Sequence, residues 1–249
     1  MKTILLVGIG TGNPEHVTVQ AINALNRADV LLIPDKGESK ADLAELRRDI
    51  VRRYVTNPAT RRVEFAPPVR DRSTPDYAER VADWHGELAQ QFGNLLDEHV
   101  ADSGTAAFLV WGDPGLYDST IRIFDRLRGD APDAYALEII PGITSIQALT
   151  AAHSIALNRI GEPVHITTGR RLAGGDRHGD TIVMLDGQTA FAGLDADLDI
   201  FWGAYLGTPD ELLIAGRLAD VTEQIAETRR AARERHGWIM DTYLLRERE

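Results

Sequence analysis

Phe108–Thr120 reads FLVWGDPGLYDST, and it decides how the chain is built. The apolar run Ala106-Ala107-Phe108-Leu109-Val110 breaks abruptly at Gly112-Asp113-Pro114-Gly115. A run that is continuously apolar rather than alternating is buried on both faces, as strands of a parallel sheet are. A loop with two glycines and a proline directly after such a strand lies at its carboxyl end, where open α/β sheets bind ligands. Glycine lets backbone N–H and C=O groups approach a ligand closely, and Asp113 adds a charge at a fixed place. Gly-Asp-Pro-Gly is also ordinary punctuation between strand and helix, so the stretch gains weight only from similar loops elsewhere.

Upstream, the same grammar repeats. Ile4-Leu5-Leu6-Val7 is a buried strand followed at once by Gly8-Ile9-Gly10-Thr11-Gly12-Asn13-Pro14. Val17, Ala21, Leu25 and Ala28 then fall at helical spacing, with Thr18 or Asn13 as N-cap. Val30–Ile33 is a second strand ending in Pro34-Asp35-Lys36-Gly37, and Ser39 caps a helix striped by Leu43, Leu46, Ile50 and Tyr54. Arg61–Ala66 is a third strand. Thr74-Pro75 opens a long helix with a stripe at Tyr77, Val81, Trp84, Leu88, Phe92 and Leu95. Strand–helix alternation of this kind predicts an α/β fold with a largely parallel sheet.

Downstream the pattern changes. Ile121–Leu127 reads as a helix, Leu137–Ile140 as a strand ending at Pro141-Gly142-Ile143-Thr144-Ser145, and a helix runs on to about His153. Val164–Thr168, Thr181–Leu185, Ile200–Leu206, Leu212–Leu218 and Trp238–Leu245 read as strands, Arg170–Asp180 as a polar loop, and Asp220–Arg235 as a charged helix. Strands that follow one another without helices between them predict a mixed sheet. The boundary is expected near Pro114–Asp118, which gives two α/β domains over 1–114 and 115–249 with the ligand in the cleft between them.

Bulk properties narrow the function class. The 249 residues carry 38 acidic against 27 basic side chains, a net charge of −11, which weighs against a nucleic-acid partner. There is no cysteine, which removes disulfides, thiolate metal sites and cysteine nucleophiles together. No apolar run approaches membrane-spanning length and Met1-Lys2-Thr3-Ile4 enters a strand rather than a signal core, so a cytoplasmic enzyme with no membrane partner is expected. No metal site is expected either, because His16, His85, His99 and His153 show no paired ligand spacing. A nicotinamide site would want glycines at positions 8, 10 and 13, and position 13 is Asn.

Taken together, the loops resemble a known family. Gly8-x-Gly10-x-Gly12 with Asn13-Pro14-Glu15, Val17-Thr18 and Ala28-Asp29-Val30 resembles the opening of the tetrapyrrole (corrin/porphyrin) methylases of cobalamin and sirohaem synthesis. Trp111-Gly112-Asp113-Pro114 resembles their second loop and Pro141-Gly142-Ile143-Thr144-Ser145 their third, while Thr181–Gly187 and Tyr205-Leu206-Gly207-Thr208 stand at the fourth and fifth. The resemblance covers essentially the whole chain. It implies a homodimer of two α/β domains that binds S-adenosylmethionine through Gly10, Thr11, Trp111, Gly112, Asp113, Leu116, Thr144, Ser145, Asp186 and Gly207. Trp111 stands where many relatives have glycine, and Asp186 where a common relative has methionine.

Asp35-Lys36-Gly37, Lys40-Ala41-Asp42-Leu43 and the ending Gly237-Trp238-Ile239-Met240-Asp241-Thr242-Tyr243 resemble the deacetylating branch of the family. That implies methylation of the ring-A carbon of precorrin-5 with loss of acetate. Another methylase of the family acting elsewhere on the macrocycle, a nicotinamide-dependent enzyme and a non-catalytic binding module are the alternatives.

Methyl transfer from a sulfonium needs in-line positioning and a dry site more than covalent help. Deacetylation needs a base to activate water and a donor for the developing oxyanion. Asp35 is the leading base with Lys36 beside it as the donor; Tyr117 and Asp118 are reserves. Asp35 equally suits a plain turn after Pro34. His165, inside a strand, reads as a hydrogen-bonded core residue, and His178 as solvated. A substrate rich in carboxylates calls for Lys and Arg near strand ends, where Lys36, Arg70, Arg72, Arg170 and Arg171 lie; Arg229, Arg230, Arg233 and Arg235 read as a solvated helix face.

Overall fold

Strand β1 (Lys2–Gly8) lies parallel to β4 (Thr105–Val110), with Leu5 opposite Ala107 and Gly8 opposite Val110, so the two apolar runs end side by side. The computed structural model describes every residue except 36–40, 70–76, 131, 195–196 and 249. It divides into two units, one of Met1–Gly10 with Pro14–Ile143 and one of Thr11–Asn13 with Thr144–Glu249.

The first unit is a parallel sheet in the order β3-β2-β4-β1-β5, where β2 is Val30–Pro34, β3 is Arg61–Phe65 and β5 is Tyr135–Ile140. Alternate residues of each strand face opposite sides. Ile4, Leu6, Leu32, Ala106 and Phe108 therefore join one core, with Leu88, Phe92 and Leu96 of α3 (Tyr77–His99) and Ile123 and Phe124 of α4 (Thr120–Asp130). Leu5, Val7, Leu31, Ile33, Ala107 and Leu109 join the other, with Ala21 and Leu25 of α1 (Val19–Arg27) and Ile50 and Val51 of α2 (Ala41–Tyr54). Helices on both faces explain why the central strands β1, β2 and β4 are buried and almost wholly apolar. Thr18 caps α1, accepting the N–H of Ala21 at 3.0 Å. The expected caps Ser39 and Thr74-Pro75 lie outside the described residues.

Connections leave β1 and β4 in opposite directions across the sheet, since β1 leads to β2 and β4 leads to β5. Such a reversal is where open α/β sheets place a ligand. The expected boundary at 114/115 needs correction: α4 and β5 belong to the first unit, because β5 completes its sheet against β1. The division falls after Ile143.

The second unit is the mixed sheet expected, in the order β6-β7-β10-β8-β9. Its strands are β6 (His165–Thr168), β7 (Thr181–Met184), β8 (Leu198–Ala204), β9 (Leu212–Arg217) and β10 (Asp241–Glu247). Only β6 and β7 pair parallel; the other pairs are antiparallel. Helices α5 (Ser145–Ala152), α6 (Gly169–Ala173) and α7 (Leu218–His236) accompany it. The core gathers Leu172, Phe191, Trp202, Ile225 and Tyr243.

One sequence reading is overturned on α7. Arg230, Arg233 and Arg235 are exposed, but Arg229 is buried, with Nε on Asp241 Oδ2 at 2.9 Å and Nη2 on the Asp186 carbonyl. Trp202 Nε1 donates to the same Asp241 oxygen at 2.9 Å, and burial pushes the Asp241 carboxyl up while Arg229 opposes the shift.

Candidate functional site

In the first unit, backbone packing builds the loops that follow β1, β4 and β5. A Cβ on Gly142 would stand 2.0 Å from the Gly112 carbonyl oxygen, and one on Gly8 would stand 2.6 Å from the Gly142 nitrogen. Only glycine permits this approach. Gly10 and Gly112 exchange backbone hydrogen bonds at 2.8 and 3.3 Å, extending the β1–β4 pairing into both loops. Asp113 joins the third loop, its Oδ1 accepting the N–H of Gly115 at 2.7 Å and its Oδ2 that of Gly142 at 2.9 Å. Trp111 and Leu116 are half-buried beside it. Gly112 takes φ +66°, and a Cβ there would meet only open space. The loop thus presents bare backbone.

Asp35 directly follows β2, and its carboxylate is not solitary. Arg48 of α2 reaches Asp35 Oδ2 at 3.1 Å and grips Glu64 with two hydrogen bonds, at 2.9 and 2.8 Å. Those bonds hold the Glu64 carboxyl below its usual range. Tyr117 is exposed with φ +50°, while Asp118 Oδ1 accepts the N–H of Thr120 at the start of α4 at 2.7 Å. Lys36, Arg70 and Arg72 lie outside the described residues.

Sequence reading missed Arg47. This α2 residue is buried, donates from Nε to the Leu109 carbonyl at 3.4 Å, and is attracted by Asp118. Burial pushes its guanidinium down to about 10. A charged residue in an apolar stripe next to Leu46 was the available signal: buried arginine is uncommon and costly unless it is paired.

The second unit supplies the other loops. Thr11 is buried, and its Oγ1 has no hydrogen-bond partner among the described residues. Gly12 takes φ +147°, and a Cβ there would stand 2.4 Å from Thr208 Cγ2. Thr144 and Gln147 form a capping box on α5, and Ser145 Oγ accepts a hydrogen bond from Thr242 Oγ1 at 3.0 Å. Gly207 takes φ +79° and donates its N–H to Glu211 at 2.7 Å.

Asp186, expected at the cofactor, is engaged within its own unit. Its carboxylate is buried and accepts the N–H groups of Gln188 and Ala190, at 2.9 and 2.7 Å, and the Tyr243 hydroxyl at 2.7 Å. Burial, then Asp186, pushes the Tyr243 phenol strongly up, keeping it a donor. The side chain is thereby committed to fixing its own loop. The exposed apolar group is the preceding Leu185, 62% accessible with φ +54°. Bulky side chains avoid that backbone region, and such strain concentrates at ligand sites. Among the described residues, positive φ outside glycine occurs at Leu185 and Tyr205 in the motif loops and at Tyr117 just after the second loop.

Arg170 and Arg171 are both exposed on α6, and Arg171 Nε also holds Asp176 Oδ2 at 2.7 Å. One further expectation changes. His165 is not a hydrogen-bonded core residue: it begins edge strand β6, and its buried Nε2 makes no hydrogen bond among the described residues.

Each unit by itself carries a feature that fits an adenosyl cofactor. In the first, Gly112 offers open space over bare backbone, and in the second Thr11 offers a buried hydroxyl with no partner among the described residues. A buried polar atom left without a partner is costly, which a bound ligand would relieve.

Comparison with known proteins gives the family and the fold. Residues 3–222 match the family described as tetrapyrrole (corrin/porphyrin) methylases. A curated "Precorrin-6A synthase [deacetylating]" from Sinorhizobium is 56% identical, over 99% of this chain and 95% of that protein. A crystal structure described as a cobalamin synthesis related protein, CobF, from Corynebacterium diphtheriae is 42% identical with a TM-score of 0.85, covering 100% of both chains. The Thermus thermophilus uroporphyrin-III C-methyl transferase, solved with S-adenyl homocysteine, shares the fold at a TM-score of 0.62 and 18% identity, covering 98% of this chain and 92% of that one.

Proposed function

The chain belongs to the tetrapyrrole (corrin/porphyrin) methylase family, and we propose that within it the protein converts precorrin-5 to precorrin-6A, methylating the ring-A carbon and releasing acetate. The carrying observation is the 56% identity to a precorrin-6A synthase along nearly the full length of both chains. It is an S-adenosylmethionine-dependent methyltransferase, so the nicotinamide alternative is set aside.

When bound, S-adenosylmethionine supplies the electrophilic methyl group, and the macrocycle's own carbon is the nucleophile. The residues therefore position and shield rather than attack. Gly10, Gly112 and Asp113 in one unit hold a rigid backbone surface, and Thr11, Thr144, Ser145 and Gly207 in the other add polar groups. Leu185 takes over the contact first expected of Asp186, supported by its exposure and left-handed backbone.

For deacetylation, Asp35 takes a proton from water as the water oxygen bonds to the acetyl carbonyl carbon. The ring–acetyl bond then breaks, its electron pair returns to the macrocycle, and acetate leaves. Arg48 at 3.1 Å fixes the Asp35 carboxylate. Lys36, Arg70, Arg72 and Arg170 are proposed for the substrate's carboxylates on residue type and chain position alone. A homodimer in the cytoplasm completes the reading, supported by the family resemblance.

Calorimetric titration with S-adenosylhomocysteine, with NADH alongside, is the first test, followed by precorrin-5 turnover with acetate detection. Saturable binding of the homocysteine product alone and stoichiometric acetate support the proposal; methylation of precorrin-5 without acetate, in the unaltered protein, would overturn the deacetylating assignment.

A further inference from the structure

His165, Asp176 and His178 bring two imidazole nitrogens and a carboxylate oxygen within 4.8 Å of one another, in a part of the second unit that the methylation chemistry does not use. His165 Nε2 lies 3.3 Å from Asp176 Oδ1, and His178 Nε2 lies 3.5 Å from the same oxygen. From these residues the geometry points to a divalent transition-metal site of the zinc class, with His165, His178 and Asp176 as ligands and one position open.

The distances favour that chemistry. Zinc bonds of about 2.1 Å at tetrahedral angles put neighbouring ligand atoms about 3.4 Å apart. An octahedral magnesium site with similar bonds would put them about 3.0 Å apart, and magnesium prefers oxygen ligands and water. The observed 3.3 and 3.5 Å bracket the tetrahedral edge. The imidazole pair selects ions of the zinc, copper, nickel and iron type. The third edge, between the two imidazoles, is within 4.8 Å, and the His178 side chain is 73% exposed.

An independent observation points the same way. His165 Nε2 is buried and 3.3 Å from a carboxylate, yet it makes no hydrogen bond to that carboxylate or to any other described group. An imidazole simply paired with Asp176 would aim its N–H at the oxygen. Two ligand atoms of one ion stand side by side in this way, in reach of each other with no hydrogen bond between them.

The support around the cluster is also that of a metal site. Asp176 Oδ2 is occupied by Arg171 Nε at 2.7 Å and Thr167 Oγ1 at 2.8 Å, which leaves Oδ1 to the imidazoles. Partners of this kind orient ligands and tune affinity. The loop is anchored: His178 N–H donates to Thr181 Oγ1 at 3.3 Å, His165 N–H to the Asp180 carbonyl at 2.9 Å, and Arg246 Nε to Asp180 Oδ2 at 2.8 Å. The ion would clamp the 174–180 loop to edge strand β6. Sequence spacing hid this site, because His165 and Asp176 meet only through the turn that brings β7 beside β6.

Full-length protein without an affinity tag, stripped with EDTA and dialysed, is titrated with zinc chloride by calorimetry and with cobalt chloride by visible absorption. The expected result is one equivalent per chain, the intense d–d bands of tetrahedral cobalt, and a higher Tm on zinc addition. His178→Ala and His165→Gln are each expected to abolish all three while still binding S-adenosylhomocysteine, which shows that the fold survives. Arg171→Gln is expected to weaken zinc about ten-fold. Absence of saturable binding, or unchanged affinity in His178→Ala, overturns the inference, and neither result bears on the methyltransferase reading.

Discussion

Asp113 Oδ2 accepts the backbone N–H of Gly142 at 2.9 Å, joining the loops after β4 and β5 across 29 residues of chain. The other oxygen holds Gly115 at 2.7 Å, so one carboxylate sets the path of two loops. Hydrogen bonds to a charged acceptor are worth about 1.5–3 kcal/mol each when shielded. Asp113→Ala is therefore expected to lower stability by about 2 kcal/mol in urea denaturation and to weaken S-adenosylhomocysteine about ten-fold or more in calorimetry. Unchanged affinity would show that the loops hold their shape without it.

Two glycines in these loops should respond differently to alanine. A Cβ on Gly142 would lie 2.0 Å from a backbone oxygen that cannot turn away, so Gly142→Ala is expected to lose most soluble folded protein. Gly112→Ala meets open space but must hold φ +66°, at a cost of about 1–2 kcal/mol. That variant should fold and lose cofactor affinity, because its methyl enters the space offered to the ligand. Soluble yield, urea midpoint and calorimetry on both variants check the contrast.

Arg229 and Arg230 are neighbours in sequence with opposite roles. Removing the buried guanidinium in Arg229→Ala strands the Asp241 carboxylate, at an expected loss of about 3–5 kcal/mol. Arg230→Ala, on the exposed face, should stay within about 0.5 kcal/mol of the parent. Similar denaturation midpoints for the two would contradict the buried pairing.

The Arg48–Glu64 pair predicts a pH dependence. Hydrogen bonds from Arg48, opposed by a little burial, place the folded Glu64 pKa below its ordinary 4.5. Between the folded and unfolded values the unfolded chain binds more protons, so stability rises with pH there. The contribution is complete above about pH 4.5 and is lost as pH falls through the lower, folded value. Because the pair is half-exposed, its contribution is small and shrinks with salt. Parent protein should exceed Glu64→Gln in stability at pH 7 and match it at low pH. A gap that persists in acid would trace to something other than the charge.

Asp35→Asn tests the deacetylation role. Methyl transfer with greatly reduced acetate release is expected by mass spectrometry and acetate assay. Unchanged acetate release would leave Asp35 as the Arg48-bound residue after β2 and nothing more.

The order of strands and glycine loops was legible in the sequence because those signals are local. Ile4–Val7 and Ala106–Val110 are unbroken apolar runs, which only a strand covered on both sides accommodates, and each ends in a glycine loop. The same locality carried Asp113. What tertiary structure decided depends on partners distant in the chain. The first unit runs on to Ile143 because β5 pairs with β1, over a hundred residues earlier. Asp186 turns inward because Tyr243 lies beside it, and Arg229 is buried because Asp241 and the Asp186 carbonyl receive it. Helical spacing records which residues share a face, not what that face meets. His165, Asp176 and His178 share no sequence spacing that marks ligands, and only the pairing of β6 with β7 gathers them around one point.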